Sequence, residues 1–244
     1  MRASGLRRRI KSSPWYWPVK LFLKRISGRE LWLRRQIHLP TRGETDWRYD
    51  PSRLDRASVV YSFGVGDDVA FETALIEDHG LTVHAFDPTP HAREWIEDQQ
   101  FSSRLAFHPW AVSGRDGRLK IYPRVNAKGR RSRTMWTSDP AQAGEQLGIE
   151  VPAYSIASLM KMLGHSTIDL VKMDIEGAEY ESLDAMLADR ILPRQLLVEF
   201  HHRFPGIGKH RTRASIERLQ AAGYRIFSIS PTGREIGFIS PTAR

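Results

Sequence analysis

The sequence predicts an α/β protein with a mostly parallel sheet, helices on both faces and a C-terminal antiparallel hairpin. Two hydrophobic runs, residues 59–63 and 169–173, stop abruptly at glycines and carboxylates. Such endings are typical of buried parallel strands whose carboxyl ends open into a ligand site. A third run, residues 82–86, ends at Asp87 in the same way. Strand-length and helix-length segments alternate through the rest of the chain, and repeated βα units of this kind build a parallel sheet covered by helices.

The predicted elements follow one another in a regular order. Strands are predicted at residues 59–63, 82–86, 105–108, 118–122, 151–155, 168–173, 195–200, 224–229 and 235–239. Helices are predicted at residues 68–79, 90–100, 156–163, 178–189 and 211–222. Asp68 is a suitable N-cap for the first helix, and Gly80 is a suitable stop. Only a turn at Pro231-Thr232-Gly233 separates the last two strands, which indicates an antiparallel pair.

Residues 123–150 are polar and weakly patterned, so they are predicted as a long irregular segment. A long loop in a compact domain is often a lid or a substrate clamp. This one carries arginines, which suit phosphate or carboxylate, and a tryptophan, which suits the face of a sugar ring. The residues concerned are Arg130, Arg131, Arg133, Met135 and Trp136. The alternative is a solvated charged surface.

Length and composition limit the classes of protein to consider. A chain of 244 residues holds one α/β domain and an appendage. It has no cysteine, which excludes a disulfide framework, a thiolate metal site and a cysteine nucleophile. No run reaches the roughly 18 apolar residues of a membrane span, and the N-terminus lacks the apolar stretch of a secretory signal. We therefore expect a cytoplasmic protein.

The positive charge is concentrated at the N-terminus. Residues 1–35 contain eleven Lys and Arg residues and one acid, a net charge of +10, whereas the whole chain carries +9. The remainder is therefore close to neutral, which argues against a broad nucleic-acid-binding face there. We predict a basic arm at residues 1–39, a linker at 40–57 and the main domain at 58–244.

The arm is predicted to contain an amphipathic helix, with Pro18 in its first turn. One face carries Trp15, Val19, Phe22 and Ile26, and another carries Lys20 and Lys24. Such a helix can lie on an anionic membrane surface, as a peripheral contact, or bind a partner. The alternative, which the general behaviour of amphipathic helices favours, is that the apolar face packs against the main domain.

Gly64 and Gly66 form a candidate nucleotide site where the first strand turns into the first helix. Glycine permits a ligand to approach the backbone closely and permits a positive φ. Asp87 follows at the next strand end, 21 residues after Gly66, where an acid commonly binds ribose hydroxyls. The alternative for Asp87 is a cap on the following helix, because Asp87-Pro88-Thr89-Pro90 is also a good helix entry.

The residues after the glycines favour S-adenosylmethionine over a dinucleotide. Val69 stands where a dinucleotide fingerprint has a third small residue. Asp67 and Asp68 occupy the helix start, where two carboxylates would repel a pyrophosphate. They would tolerate a cofactor that has no phosphate and carries a positive sulfonium. A nicotinamide-dependent enzyme is accordingly disfavoured.

Four further segments carry a resemblance to a known family. They are V-K-M-D-I-E-G-A-E-Y-E at residues 171–181, L-L-V-E-F-H-H at 196–202, A-V-S-G-R-D-G at 111–117 and L-Q-A-A-G-Y-R-I-F at 219–227. With the glycine segment, they make the chain similar to the FkbM family of S-adenosylmethionine-dependent methyltransferases from about residue 59 to 238. The resemblance implies a class I methyltransferase, Rossmann-like sheet. It also implies methyl transfer to a hydroxyl oxygen of a sugar, glycan or natural product.

The resemblance also assigns roles by position. It implies cofactor contacts for Gly64, Gly66, Asp87, Val112 or Ser113, and Asp174, the last of these near the methyl group. The chain departs from the pattern at Ser62, where many class I enzymes carry an acid. Asp67 or Asp68 can take over that contact to the amino-acid end of the cofactor.

The second group of polar residues follows two neighbouring strands. Asp174 and Glu176 lie at the end of one, and Glu199 and His201 at the end of the next. Buried charges are costly unless paired, so their convergence at one sheet edge indicates a site. His201 is the best candidate for a catalytic base because its ordinary pKa lies near neutrality, with Asp174 and Glu199 next.

Two alternatives remain open for these acids. Glu176 and Glu179 can simply cap the following helix. No metal site is assigned, although a divalent ion held by Asp174, Glu176 and Glu199 is chemically reasonable.

The leading hypothesis from the sequence is an O-methyltransferase with a hydroxylated small-molecule or glycan acceptor. The alternative is a noncatalytic scaffold of the same fold that binds a membrane or nucleic acid through its basic arm.

Overall fold

The computed structural model describes residues 15–43, 46–125, 131–140 and 148–240. Its strands are β1 (Val59–Phe63), β2 (Thr82–Phe86), β3 (Leu105–His108), β4 (Ala111–Val112), β5 (Gly117–Val125), β6 (Arg131–Thr137), β7 (Ile149–Tyr154), β8 (Leu170–Met173), β9 (Gln195–Glu199), β10 (Arg225–Ile229) and β11 (Glu235–Ile239). Its helices are α1 (Tyr16–Ile26), α2 (Ala70–His79), α3 (Pro90–Glu97), α4 (Ile156–Leu163), α5 (Glu179–Ala188) and α6 (Gly208–Ala221), with a 3₁₀ turn at Pro51–Arg53.

The main sheet has seven strands in the order β10-β11-β9-β8-β1-β2-β3. Each neighbouring pair is parallel except the two that contain β11, which runs antiparallel to both β9 and β10. The predicted fold class is therefore confirmed, including the C-terminal antiparallel hairpin. This order places the carboxyl ends of β1, β2 and β8 side by side.

Both faces of the sheet are covered by helices. Tyr61 and Phe63 of β1 join one core together with side chains from α4, α5 and α6. Val60, which points the other way because side chains alternate along a strand, joins a second core with α2. All three side chains are at most 1% exposed. Because the strands are buried on both faces, polar groups reach solvent chiefly at the strand ends.

A second, four-stranded sheet in the order β4-β7-β5-β6 lies beside the site. It corrects the prediction that residues 123–150 form one irregular segment, because β5 extends to Val125 and residues 131–137 form β6. Most side chains of β6 are exposed or half-buried, so the strand lacks an apolar alternation by which it could be recognised. Residues 126–130, including Arg130, and 141–147 lie outside the described residues.

Helix ends differ modestly from the predictions. Gly80 ends α2 in the left-handed conformation, as predicted. The N-cap of that helix is Val69 rather than Asp68, although the Asp68 carboxylate still accepts a hydrogen bond from the backbone N–H of Ala70 at 2.9 Å. The predicted helix 211–222 begins three residues earlier, at Gly208.

The predicted helix of the basic arm is present as α1, with Pro18 in its first turn. Its apolar stripe is exposed: Trp15, Val19, Phe22 and Ile26 are 74%, 52%, 54% and 60% exposed. The interpretation that this stripe packs against the main domain is therefore wrong. A different side of the helix makes that contact, because Leu21 packs against the turn at Gly233.

Segments on both sides of the predicted linker boundaries also pack on the sheet. Leu31 is 4% exposed and belongs to the main core, and Tyr49 is 1% exposed. The side chain of Gln195 exchanges two hydrogen bonds with the backbone of Asp50. The domain boundaries at residues 39 and 57 stay a prediction. Among the described residues, no helix is long and apolar enough to cross a bilayer.

Candidate active site

A cleft opens at the carboxyl ends of β1, β2 and β8, and we call it the strand-end cleft. It holds about 540 Å³ of space that is open to solvent. Its walls include Phe63, Phe86, Trp110, Val112, Asp87 and Asp174. Apolar walls with two carboxylates suit a ligand that is largely flat and apolar and carries hydroxyl or cationic groups.

Gly64 permits the close approach of β1 and β8 at the floor of this cleft. Its φ is +80°, and its backbone N–H donates to the Phe86 carbonyl at 2.8 Å. A Cβ at this position would lie 2.7 Å from the Asp174 carbonyl carbon and overlap the carbonyl oxygen. No side chain fits, so the glycine is required by the backbone itself.

Asp87 organises the loop that follows Gly66. One carboxylate oxygen accepts the Gly66 N–H at 2.9 Å, and the other accepts the backbone N–H and hydroxyl of Thr89 at 2.9 and 2.6 Å. Burial raises the pKa of Asp87, and the Thr89 and Gly66 hydrogen bonds oppose that rise. Thr89, not Asp87, caps α3. Asp87 lines the cleft, so ribose contact stays a prediction that its position permits.

The other predicted cofactor residues lie in three different settings. Val112 is 4% exposed and lines the strand-end cleft. Ser113 donates its backbone N–H to the Tyr154 carbonyl and lines an adjoining pocket instead. Asp67 has a 46% exposed side chain, which lies 3.2 Å from the His91 ring nitrogen Nε2. Of these three, only Val112 is brought into the cleft wall with Gly64, Asp87 and Asp174.

A cluster of carboxylates surrounds His201, and we call it the His201 cluster. Its members are Asp174, Glu176, Glu179, Glu199 and His201. Nε2 of His201 lies 3.7 Å from carboxylate oxygens of Asp174, Glu176 and Glu199. Its Nδ1 lies 3.3 Å from Oε1 of Glu179, which also accepts the His201 backbone N–H at 2.9 Å. The structure thus brings together Asp174, Glu199 and His201, as the strand order predicts.

These carboxylates make His201 a cation at neutral pH. Burial lowers its pKa, but the hydrogen bond and charge of Glu179 and the charges of Glu176 and Glu199 outweigh it and raise the pKa to about 9. Burial and the charge of Asp174 raise the pKa of Glu199 to about 8. A protonated imidazole is a hydrogen-bond donor, so acceptance of a proton falls more readily to a carboxylate.

Two arginines bind the flanking acids. Nη1 of Arg124 donates to Glu176 at 2.9 Å, and Arg234 forms an ion pair with Glu199. Glu176 has a φ of +52°, which a non-glycine residue rarely adopts and which its surroundings must hold.

The Asp174 side chain, one third exposed, lines the cleft. It is therefore the acid of this cluster best placed to meet a ligand.

The same geometry bears on metal binding. Ligand atoms of Asp174, Glu199 and His201 lie within 4.8 Å of one another, close enough to surround one ion. Histidine binds metals through a neutral imidazole, whereas the acids around His201 favour its protonated form. The prediction that this site has no metal stays a prediction.

Ser62, where the chain departs from the family pattern, is hydrogen-bonded to an acid from α2. The Ser62 hydroxyl donates to Oε1 of Glu72 at 2.5 Å, and Nζ of Lys172 donates to the same oxygen at 3.1 Å. All three side chains are buried. Glu72, Arg124 and Arg234 were not predicted from the sequence, because their partners are distant in the chain or lie across the sheet. Trp110 was not predicted either, although an aromatic residue next to a strand end is a signal that could have indicated it.

Comparison with known proteins identifies relatives of this chain. A family model described as "Methyltransferase FkbM domain" matches residues 58–226. The chain is 28% identical over 163 residues to "Probable methyltransferase-like protein 24" of Homo sapiens, and likewise to that of Rattus norvegicus. The match covers 66% of this chain but only 37% of each relative, so this chain corresponds to little more than a third of their length.

Solved structures with a similar arrangement are more distant in sequence. The Methanococcus jannaschii fibrillarin pre-rRNA processing protein aligns with a TM-score of 0.41 and 11% identity, over 76% of this chain and 66% of that one. An O-methyltransferase family protein from Burkholderia thailandensis aligns with a TM-score of 0.37 and 15% identity, over 77% and 52%.

Proposed function

Because this chain belongs to the FkbM methyltransferase family, we propose that it is an S-adenosylmethionine-dependent O-methyltransferase whose acceptor is a hydroxyl group of a sugar, glycan or natural-product-like molecule. Membership of the family supports methyl transfer from S-adenosylmethionine. The hydroxyl acceptor is the part of the proposal that goes beyond the family. One observation carries the proposal: Asp174 lines the strand-end cleft, and its carboxylate lies 3.7 Å from Nε2 of His201.

The residues present fit S-adenosylmethionine. Gly64 leaves the backbone bare at the cleft floor, and Asp87 offers a buried carboxylate suited to ribose hydroxyls. Phe63, Trp110 and Val112 give apolar walls for an adenine ring. The bound cofactor would supply a methyl group already activated by its sulfonium. The protein is left with placement of the acceptor and removal of its proton.

Asp174 is the residue that we assign to proton removal. It would accept the proton of the acceptor hydroxyl, whose oxygen would receive the methyl group that the bound cofactor supplies. His201 acts as a positioning residue, because its cationic ring holds Asp174 and Glu199 together while Glu179 fixes its orientation. Glu199, with its pKa raised to about 8, is mostly protonated at neutral pH, which leaves proton acceptance to Asp174.

The polarity of the surroundings supports a hydroxylated acceptor. The adjoining pocket that Ser113 lines shares Leu119, Thr137, Ser138 and Ala178 with the strand-end cleft, so the two lie side by side. Its own walls add polar side chains: Ser113, Asp139, Glu176, Glu181 and Arg211. A ligand that passes from an apolar cleft into this pocket meets many donors and acceptors, as a sugar requires.

The test begins with the binding of S-adenosylhomocysteine, measured by calorimetry. We expect Asp87→Ala to weaken binding at least about tenfold, the equivalent of 1.4 kcal/mol, and Asp174→Asn to retain it. Radiolabelled methyl transfer to a panel of sugars and glycans should then be lost in Asp174→Asn. The methylated product should be stable in alkali, because alkali hydrolyses a methyl ester of a carboxyl group but not a methyl ether. An absence of binding by the intact protein, or an alkali-labile product, would contradict the proposal.

A further inference from the structure

The N-terminal segment exposes an apolar surface of unusual extent. Among the described residues, every large hydrophobic side chain that is more than half exposed lies between residues 15 and 32. These side chains are Trp15, Val19, Phe22, Leu23, Ile26 and Trp32, with exposures from 52% to 74%. The rings of Phe22 and Trp32 meet edge to face at 6.2 Å, which joins the helix to the segment after it. Contiguous exposed apolar area of this kind usually marks an interaction site.

The same segment is strongly cationic. Residues 15–35 contain Lys20, Lys24, Arg25, Arg29, Arg34 and Arg35. The single acid of this segment, Glu30, is buried and forms an ion pair with Arg203. The guanidinium of Arg25 lies 5.7 Å from the centre of the Trp32 ring, so charge and apolar surface are directly adjacent.

A basic groove continues this surface. It holds about 1310 Å³ of space open to solvent, and Trp32 lies on its wall. The cations on the wall are Arg25, Arg34, Arg35, Lys209 and Arg213, and they outnumber its two acids, Glu30 and Glu217. Tryptophan is enriched where a membrane meets water, and arginine binds phosphate groups.

We propose that residues 15–35 form a docking surface for an anionic phospholipid bilayer, with the apolar side chains of α1 and Trp32 inserted at the interface and the cations bound to headgroup phosphates. Protein interfaces are depleted in charge at their centres, whereas Arg25 here lies against the Trp32 ring, and a nucleic acid offers nothing for exposed aliphatic side chains to enter. A bilayer with anionic headgroups accounts both for the exposed apolar side chains and for the cations beside them.

The docking surface is fixed to the main domain rather than carried on a free tether. Leu21 packs against the turn at Gly233, and the ammonium of Lys209 donates to the Gly28 carbonyl. The ion pair between Glu30 and Arg203 adds a third connection. Docking would therefore orient the whole protein on the membrane. In the sequence, residues 1–14 add five further cations and no acid.

The test measures sedimentation of the full chain with vesicles of phosphatidylcholine alone and of phosphatidylcholine mixed with phosphatidylglycerol. We expect at least about tenfold tighter binding to the anionic vesicles, because anionic headgroups attract each basic residue near the membrane surface, and weaker binding at high salt. Arg34→Glu/Arg35→Glu should reduce binding at least about tenfold because it reverses two charges that face the headgroups. Phe22→Ser/Trp32→Ser should reduce binding at least about tenfold because it removes two aromatic side chains that insert into the interface. The matched control, Lys161→Glu/Met162→Ser, changes an exposed cation and an exposed apolar side chain on α4 and should bind as the unaltered protein does.

Three outcomes would each overturn the proposal. Equal binding by the Phe22/Trp32 variant would show that the apolar surface does not insert. Equal binding to neutral vesicles would remove the role of charge. A dimer of the free protein that the Phe22/Trp32 variant converts to monomer would mean that a second copy covers the surface. Unchanged binding of S-adenosylhomocysteine by the variants confirms that they fold and keeps this result separate from the proposed activity.

Discussion

Gly64 and Asp174 meet backbone to backbone at the floor of the strand-end cleft. A Cβ on Gly64 would lie 2.7 Å from the Asp174 carbonyl carbon. The two residues directly follow neighbouring parallel strands, β1 and β8, whose register pairs Phe63 with Met173. The glycine turn and the acidic strand end are therefore parts of one site, and neither can shift without the other.

Gly64→Ala should damage both stability and ligand binding. Its φ of +80° strains any side chain, and the overlap with Asp174 forces the strand ends apart. Each of these effects costs about 1–3 kcal/mol. Gly66→Ala is the matched control, because its φ is +55° but nothing lies within 4 Å of a Cβ there. Urea unfolding should show a loss of only about 1 kcal/mol for the control. Equal losses in the two variants would contradict the role given to the contact.

Lys172→Met should be strongly destabilising, because it removes the cation that pairs with a buried carboxylate. Glu72 is fully buried, and its Oε1 accepts hydrogen bonds from Lys172 and Ser62. Removal of one partner from a buried pair costs about 3–5 kcal/mol. Lys172→Met/Glu72→Leu, which removes both charges, should recover most of the loss in urea unfolding. A double variant no more stable than the single one would show that the pair itself is not the cause.

The predictable parts of this fold are those with a local signal. β1, β2 and β8 are apolar runs that end at Gly64, Asp87 and Asp174, so both the strands and their functional ends can be read from neighbouring residues. The parallel order then follows from the alternation with helices. The convergence of Asp174 with His201 is a consequence of adjacent strands and was likewise predictable.

The parts that could not be predicted depend on long-range contacts. Glu72 reaches Lys172, one hundred residues away, and nothing near either residue indicates the pair. Arg124 joins the His201 cluster only because β5 and β6 form an unpredicted sheet beside it. The role of His201 changes for the same reason, since the charges that raise its pKa come from another strand end and from α5.

His201 should make stability depend on pH in the alkaline range. Its pKa is about 9 in the folded protein and roughly 6.5 when unfolded. A raised folded pKa contributes stability that is fully present below the unfolded value and is lost as the pH rises through the folded value. The window therefore extends from about pH 6.5 to 9.

Glu199 overlaps the lower part of this window, because its own pKa is raised to about 8. The comparison is therefore made in proteins that also carry Glu199→Gln, which removes this overlapping carboxyl group. Between about pH 8 and 9.5 the Glu199→Gln protein should lose about 1 kcal/mol of unfolding free energy through His201, and Glu199→Gln/His201→Gln, in which neither residue titrates, should not. Urea unfolding at the two pH values measures the difference. Parallel losses in both proteins would mean that His201 is neutral across this range, and proton acceptance by its imidazole would again be the better mechanism.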